Sequence, residues 1–399
     1  MKKAKGMLSI GVLGCNAEAV VASALESLRG QSIFQHLEEL GLHCELLYLA
    51  HGCSDTTWEI AQEMMEQEQG GDLAGVSFQR RAYNFPRLSK TETWNRFVHE
   101  LTDKASQLLF VIDSDVILLD QDALFDMYKA LTYSKLSTAK IDIVTGRISV
   151  EFPVQKPGRL KKKNLSQSPL DGGYSGSQLY CMRSSAARRI WIPKDLPCCE
   201  YQFIRRAITS NMFTGPELHN KVTVTPGTCN IFNTNLSICQ SIRFRKQQII
   251  GQTIIHLLIN NYINALPVAQ RLDLKTLLEF NDRTQPGWLK VLIFEHINRT
   301  RYFWQIYPGI LRDSIDISAF SPSRHCGLRS FLSSILSITI ACFAAARFLK
   351  RGHVHYWPDD PTTDCAESVA GNSGSRTRPS LPAQSAHSLA RDVSQTSGD

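Results

Sequence analysis

The chain has 399 residues, of which 43% are hydrophobic and 20% are charged, and this is the composition of an ordinary globular protein. The length is enough for one large α/β domain with extensions, or for two domains. The net charge of +7 comes without a helix-turn-helix, zinc-finger or RNA-binding signature, so we expect no nucleic acid partner. The eleven cysteines are scattered without matched Cys-x-x-Cys motifs, which favours reduced thiols in a cytosolic setting over a zinc site or a disulfide framework.

Short apolar runs alternate with segments of helical periodicity in the first part of the chain. The predicted elements are a strand at 8–13, a helix at 17–28, a strand at 44–49, a helix at 55–66, a strand at 75–79, a helix at 91–103 and a strand that ends at 113. This order predicts an α/β fold with a mostly parallel sheet and helices on both faces. Ligands of such sheets bind beyond the carboxyl ends of the strands. We therefore expect the residues that follow the strands to share one crevice.

Two aspartates, Asp113 and Asp115, directly follow the apolar run 108–112. Carboxylates beside a core lose hydration free energy unless a cation or a hydrogen-bond donor compensates them. A divalent metal ion that carries a diphosphate would compensate both carboxylates. The alternative is a surface turn, because Asp and Ser are good turn formers. Their place at the mouth of the predicted sheet favours the metal site.

The second half of the chain has less regular patterning. Residues 151–245 hold a glycine-rich piece and one further predicted strand, and the residues after them are predicted to be mostly helical. The charge-free stretch 330–346 has basic residues on both sides and approaches the length of about 20 residues that a membrane-spanning helix needs. We predict a membrane helix over 330–350, with a surface-bound helix or a buried helix as alternatives. Residues 351–399 are rich in Ser, Pro, Thr and Gly and are predicted to be disordered.

Over roughly residues 7–250, these motifs resemble the family 2 glycosyltransferases of the GT-A fold. The first matching positions are Asn16 and Glu18 after the first strand, Asp55 in a Gly-x-Ser-Asp loop, and Lys90 and Asn95 before the strand that ends at 113. The others are the Asp-x-Asp pair Asp113 and Asp115, the acceptor-side strand at 176–180, Glu200, and Gln240 and Arg243 in a Gln-x-x-Arg-Phe sequence. The last motif resembles the Gln-x-x-Arg-Trp motif of the membrane-associated branch. The chain departs from the family at Ala50, where an aspartate usually contacts uracil.

The resemblance implies a role for each of these residues. Asp115 would bind a Mg²⁺ or Mn²⁺ ion directly, and Asp113 would contact the ribose or reach the metal through water. Glu200 would be the general base that removes the proton of the acceptor hydroxyl. Gln240 and Arg243 would bind the diphosphate or the acceptor. The other residues implied to bind the nucleotide sugar are Asn16, Glu18, Asp55 and Lys90.

Simpler explanations compete at several of these positions. Asn16 and Glu18 could merely cap the first helix, and Asp55 could be only a helix N-cap. Glu200 could be a solvated loop residue. Arg243 could belong to a solvated basic face.

The sequence as a whole predicts an enzyme, a metal-dependent inverting glycosyltransferase that uses a nucleotide-sugar donor and a lipid or glycan acceptor. We expect it to be membrane-associated, with its catalytic domain in the cytoplasm. The predicted segments are a GT-A domain at 1–245, made of a nucleotide-sugar half at 7–150 and an acceptor half at 151–245, then a helical extension at 246–329, the membrane helix and the tail. One alternative is a nucleotidyltransferase, although that class needs a Gly-rich loop bearing Arg or Lys after the first strand. The other is a non-catalytic GT-A-like interaction protein.

Overall fold

The computed structural model describes residues 6–66, 78–133, 141–152, 161–164, 178–231, 238–300, 339–340, 342–347 and 349. The strands are β1 Gly6–Gly14, β2 Leu42–His51, β3 Phe78–Phe85, β4 Ser106–Asp113, β5 Val116–Leu118, β6 Ile143–Phe152, β7 Lys161–Asn164, β8 Leu179–Arg183 and β9 Val222–Ile231. The helices are α1 Val21–Arg29, α2 Ile33–Leu40, α3 Thr57–Glu66, α4 Lys90–Arg96, α5 Ala123–Tyr133, α6 Ser184–Ala187, α7 Glu200–Thr209, α8 Ile238–Leu257, α9 Val268–Leu272, α10 Leu274–Thr284 and α11 Trp288–Thr300.

The strands form one sheet in the order β3-β2-β1-β4-β8-β6-β9-β5, with β7 paired to β6. The first four strands of this order are parallel to one another. Beyond β4 the sheet is mixed, because β8 runs antiparallel to β4 and β6, while β9 is parallel to β6 and antiparallel to β5. The predicted α/β fold class is therefore confirmed, and the topology is consistent with a Rossmann-like sheet of GT-A type.

The central strands are buried on both faces, which is why their sequences are almost continuously apolar. Ile10, Tyr48 and Phe110 point into a core that also contains residues of α1, α2, α3 and α5. Leu47 and Leu109 point to the opposite face, into a core shared with α4, α7 and α8. Each such side chain contributes about 1.5–3 kcal/mol when it is fully buried. The helices on both faces are thus held by two separate apolar layers.

Strand β3 differs most from its prediction. The sequence predicts a strand over 75–79, whereas β3 begins at Phe78 and continues to Phe85, in parallel register with β2. It lies at the edge of the described sheet, and its side chains from 79 to 85 are exposed or half-buried, so it lacks a continuous apolar run. Arg81 on this strand forms an ion pair with Glu45, a buried carboxylate on β2. Arg81, one of the polar residues that make this strand hard to predict from the sequence, thus compensates a buried charge.

The region predicted to be less regular, 151–245, contributes strands β7, β8 and β9, helices α6 and α7, and the start of α8. Strands β8 and β9 both pair with β6 near the middle of the sheet. Helix α7 packs its apolar side against the same core as α4. The glycine-rich piece of this region lies outside the described residues.

None of the described helices is long and apolar enough to cross a membrane. Of the predicted membrane helix, residues 330–338 lie outside the described part of the chain, as does the predicted tail. The described positions within 339–349 are helical, and Cys342, Ala345 and Leu349 are buried in the core on the α7 side of the sheet. These apolar residues therefore belong to the core of the compact unit formed by Met1–Asp360.

Gly11 in β1 permits the close approach of an aromatic ring. A Cβ atom at this position would lie 2.6, 2.7 and 2.9 Å from three ring atoms of the fully buried Phe97. We expect Gly11→Ala to lower the free energy of unfolding by about 1–3 kcal/mol, because the ring must shift in a packed core. Urea denaturation measures this change. As a control, Gly30→Ala meets no atom closer than 3.6 Å, and equal losses at the two glycines would contradict the packing argument.

Candidate active site

The carboxyl ends of β1, β2 and β4 meet at one edge of the sheet, because these strands are adjacent and parallel. The chain turns sharply after β4 and enters β5 at Val116. The backbone N–H of Asp113 donates to the carbonyl of Gln178 (2.8 Å), and that of Ser114 donates to the carbonyl of Leu13 (2.9 Å). These two bonds fix the turn, so Asp113 and Asp115 are positioned by the sheet itself.

Lys90 joins two of the predicted site residues. It is the first residue of α4, and a capping box made by Ser89 and Glu92 fixes the start of this helix. Its Nζ lies 2.8 Å from Asp113 Oδ2 and 2.8 Å from Glu200 Oε1. We call Lys90, Asp113, Asp115 and Glu200 the Lys90 cluster. The structure thus brings together residues that are far apart in the sequence.

The charges of the Lys90 cluster shift one another's pKa values. Burial raises the pKa of Asp113 to about 7; Lys90 opposes the shift, and the charges of Asp115 and Glu200 add to it. Burial would also raise the pKa of Glu200, but the ion pair with Lys90 outweighs burial and holds it below its usual value. Burial would lower the pKa of Lys90, but its two carboxylate partners keep it well above the ordinary value. Glu200 is therefore a carboxylate and Lys90 an ammonium at neutral pH.

Two carboxylate oxygens of the cluster remain without a partner. Asp113 Oδ1 and Asp115 Oδ1 are buried, and neither accepts a hydrogen bond within the part of the chain that the structure describes. Burial raises the pKa of Asp115, with Lys90 opposing the shift. No described group of three or more His, Cys, Asp or Glu side chains is arranged to hold a metal ion. The pair nevertheless fits Mg²⁺ or Mn²⁺, since such ions often take one or two carboxylates and fill their remaining positions with substrate oxygens and water.

A second group of predicted residues ties two neighbouring loops together. Asn16 Oδ1 accepts a hydrogen bond from the backbone N–H of Ser54 (2.8 Å). Glu18 Oε2 accepts from the Thr56 hydroxyl (2.8 Å), and Asp55 Oδ2 accepts from the backbone N–H of Glu18 (3.2 Å). The loops after β1 and β2 therefore form one continuous rim beside the Lys90 cluster.

The capping alternatives for these residues have different outcomes. Helix α1 begins at Val21 without a side-chain cap, so Asn16 and Glu18 do not cap it. Asp55 does have a capping bond, because its Oδ1 accepts from the backbone N–H of Thr57 (3.1 Å) at the start of α3. Asp55 combines this local bond with the link to Glu18.

Glu200 is the first residue of α7 and is not a solvated loop residue. Its side chain is 9% exposed, and the positive end of the helix favours its negative charge. The preceding Cys199 has a left-handed backbone with φ of 64°. On α8, Gly251 lets the two helices approach, since a Cβ there would lie 2.5 Å from Cys198 Sγ and 2.9 Å from Cys199 Sγ.

Two further predicted residues lie on α8. Gln240 and Arg243 belong to its first half, but their side chains lie outside the described part of the structure. Asn95, another position that matches the family, has a structural role. Its Nδ2 donates to the carbonyl of Ile192 (2.7 Å), and its Oδ1 accepts from the N–H of the same residue (3.0 Å).

Two residues beside the cluster were expected near the crevice, His51 after the second strand and Tyr180 on the acceptor-side strand, but the sequence assigned neither a role. His51 ends β2 and is buried; burial, together with the charge of Lys90, lowers its pKa to about 4. Tyr180 on β8 accepts a hydrogen bond from Trp94 Nε1 (2.8 Å), and burial, together with the charge of Glu200, raises the pKa of its hydroxyl. Both are therefore neutral. His51 ends β2 as Asp113 ends β4, in agreement with the expectation that residues after the strands share one crevice.

Comparisons with known proteins show a similarity of structure alone. No family model and no curated protein matches the chain. A 4-diphosphocytidyl-2C-methyl-D-erythritol synthase from Anaerococcus prevotii is 11% identical, with a TM-score of 0.29 over 57% of this chain and 91% of the other. A cytidylyltransferase from Leptospira borgpetersenii is 12% identical, with a TM-score of 0.29 over 69% of this chain and 95% of the other. At these scores neither structure bears on the function of this chain.

Proposed function

We propose that this chain is a metal-dependent transferase with a nucleotide-linked substrate, and that the group it transfers is a sugar. The observation that carries the proposal is the Lys90 cluster at the carboxyl ends of the parallel strands. The unpartnered oxygens of Asp113 and Asp115 support a divalent cation. The third carboxylate, Glu200, shares the same lysine and supports a general base next to the metal. The resemblance to family 2 glycosyltransferases assigns the same residues to the same tasks.

Each residue of the cluster would have a distinct task. A Mg²⁺ or Mn²⁺ ion held by Asp115, with Asp113 in support, would neutralise the diphosphate leaving group. Lys90 places a fixed positive charge beside Asp113, where it would stabilise charge on the phosphate oxygens. The rim that contains Asn16, Glu18 and Asp55 would border the nucleoside. Gln240 and Arg243 on α8 would bind the diphosphate or the acceptor.

Glu200 would act on the acceptor. The acceptor oxygen attacks the anomeric carbon, the bond from that carbon to the diphosphate breaks, and its electron pair leaves with the diphosphate. The hydroxyl proton passes to Glu200, which is already ionised because Lys90 lowers its pKa. A carboxylate with a low pKa accepts this proton readily only once the hydroxyl has become acidic through bond formation. A single displacement of this kind inverts the configuration of the sugar.

The acceptor we propose is a lipid or a glycan, at a membrane and on its cytoplasmic side. What supports this is the Gln-x-x-Arg-Phe sequence, which resembles the motif of the membrane-associated branch of the family.

Nucleotidyl transfer is the second candidate. The observation that favours it is Lys90, since an ammonium beside a metal-binding carboxylate would serve an attacked α-phosphate as well as a departing diphosphate. The loop after β1 weighs against it, because residues 14–20 contain no Arg or Lys and Glu18 is bonded to Thr56. The two reactions release different products: a nucleoside diphosphate from sugar transfer, and pyrophosphate from a nucleoside triphosphate.

The metal-binding step is tested by calorimetry with nucleotide sugars and nucleoside triphosphates, each with and without Mn²⁺. We expect Asp115→Asn to weaken the Mn²⁺-dependent binding by at least about 100-fold, because it removes a charged ligand. The matched control is Asp126→Asn on α5, whose carboxylate pairs with Lys129 away from the strand ends. Unchanged binding by Asp115→Asn would refute the site. A wild-type chain that binds no nucleotide with Mn²⁺ would favour the non-catalytic interaction protein.

A further inference from the structure

A separate cavity lies at the opposite end of α7 from Glu200. It has a volume of about 280 Å³, close to the lower limit of about 300 Å³ for small-molecule sites. Its polar lining includes Arg206, Ser210, Glu217, Asn260, Asn264 and Arg271. The length of α7 separates Ser210 from Glu200 by about 15 Å. The cavity is therefore distinct from the Lys90 cluster.

The charge of this cavity favours an anion. Arg206 Nε lies 3.7 Å from Glu217 Oε1, and a single carboxylate neutralises only one of the two guanidinium groups. Arg271 Nη1 donates to the carbonyl of Phe213 (2.6 Å), but its Nε is buried without a hydrogen-bond partner among the described residues. A buried donor without an acceptor is costly. Burial and the charge of Arg206 together lower the pKa of the neighbouring His256, in accord with a positive potential here.

The other polar groups of the cavity suit hydroxyl groups. Asn264 Nδ2 donates to Asn260 Oδ1 (3.4 Å), and Asn260 Nδ2 lies 2.8 Å from His256 Nε2. A carboxamide offers both a donor and an acceptor, as a hydroxyl group requires, and Glu217 offers further acceptor oxygens. An anion without hydroxyl groups would not engage the donors and acceptors that these side chains still have available.

The turn that borders the cavity is strained. Asn211, Met212 and Phe213 have φ values of 51°, 59° and 59°, so three successive non-glycine residues adopt the left-handed conformation. Each costs about 1–2 kcal/mol. The turn is held by Met212 N–H, which donates to the Ala207 carbonyl (2.6 Å), and by the bond from Arg271 to Phe213. Strain of this kind is concentrated at ligand-binding sites.

We infer that this cavity binds a small hydroxylated oxyanion, such as a sugar phosphate or a hydroxy acid. The guanidinium groups of Arg206 and Arg271 bind the phosphate or carboxylate, because their planar N–H groups match its oxygens. Asn260, Asn264 and Glu217 bind the hydroxyl groups. The site is independent of the proposed function, since it shares no residue with the Lys90 cluster.

Calorimetry on the full chain, with a metal chelator and at constant ionic strength, tests this site. The probes are glucose 6-phosphate, citrate, inorganic phosphate and glucose. We expect glucose 6-phosphate or citrate to bind with a dissociation constant in the millimolar range or tighter. Inorganic phosphate and glucose should bind at least about fivefold more weakly, because each engages only half of the lining. The first two probes distinguish a phosphate from a carboxylate ligand.

Three variants complete the test. Arg271→Gln should weaken binding at least about tenfold, through the loss of a charge-assisted contact. Arg206→Gln should also weaken binding. Because this variant keeps the bond from Arg271 to Phe213, it still tests the site if Arg271→Gln does not fold. Arg283→Gln is the control, since this guanidinium on α10 is 70% exposed and pairs with Glu279 outside the cavity. Absence of binding by every probe, or wild-type affinity in Arg206→Gln, would overturn the inference.

Discussion

Replacing Glu200 by glutamine is expected to lower kcat for the proposed sugar transfer by about 10²–10⁴-fold, because a glutamine cannot act as the proposed base for the acceptor hydroxyl. The glutamine has nearly the same shape, and Lys90 retains Asp113 as its partner. The dissociation constant for the donor in the presence of Mn²⁺ should therefore change little. Steady-state kinetics and donor calorimetry on the same preparation separate the two quantities.

The dependence of kcat on pH is a second test of Glu200. Lys90 holds the pKa of Glu200 below its ordinary value, so with the metal site saturated the acid limb that Glu200 contributes to the kcat profile should lie below the ordinary glutamate pKa of about 4.3. Glu59→Gln on α3 is the matched control, since this glutamate is exposed. A kcat for Glu200→Gln within tenfold of the wild type would exclude Glu200 as the base.

Replacing Lys90 by methionine is expected to lower the free energy of unfolding by about 3–5 kcal/mol, because it leaves buried carboxylates without a counter-ion. The side chains of Asp113 and Glu200 are only 13% and 9% exposed. Lys129→Met is the control, since Lys129 is 45% exposed in its ion pair with Asp126. Lys129→Met should lower the free energy of unfolding by less than about 1 kcal/mol. Urea denaturation measures both variants, and equal losses would contradict the role of Lys90.

The loss at Lys90 should also depend on pH. Asp113 has a folded-state pKa of about 7, above its ordinary value, so its contribution to stability is complete at low pH and is lost as the pH rises through about 7. Without Lys90 the charged form of Asp113 becomes still less favourable. Lys90→Met should therefore lower the free energy of unfolding more at about pH 8 than at about pH 5. Lys90→Arg keeps the positive charge and should reduce this difference.

The central strands of the sheet could be predicted from the sequence, because strands that are buried on both faces have apolar residues at successive positions. Strands β1, β2 and β4 each end in an apolar run, and the polar residues that follow these runs lie at the functional edge. The same pattern places His51, at the end of β2, at this edge. The bounds of β3 could not be predicted in this way, because an edge strand carries polar residues. One of them, Arg81, forms an ion pair with Glu45.

The meeting of Lys90, Asp113 and Glu200 could be predicted from the resemblance but not from local pattern. Lys90 starts one helix and Glu200 another, and only the packing of α4 and α7 on the same face brings them to Asp113. The start of α7 had no sequence signal, because Cys199 adopts a left-handed backbone that usually calls for glycine or asparagine. In the second half of the sheet, the one further predicted strand corresponds to β8, whereas β6 and β9 were not predicted. These strands pair across long separations in the sequence, which local propensity does not record.

The contact at Gly251 has a mechanical consequence. Cys198 and Cys199, the two residues before Glu200, pack their sulfur atoms against Gly251 in the second half of α8. The backbone of Gln240 and Arg243 belongs to the same helix. A rotation of α8 around a bound substrate would therefore carry the start of α7 with it. In such a movement the backbone of Glu200 and the first half of α8 would move together, because the two helices are in contact at Gly251.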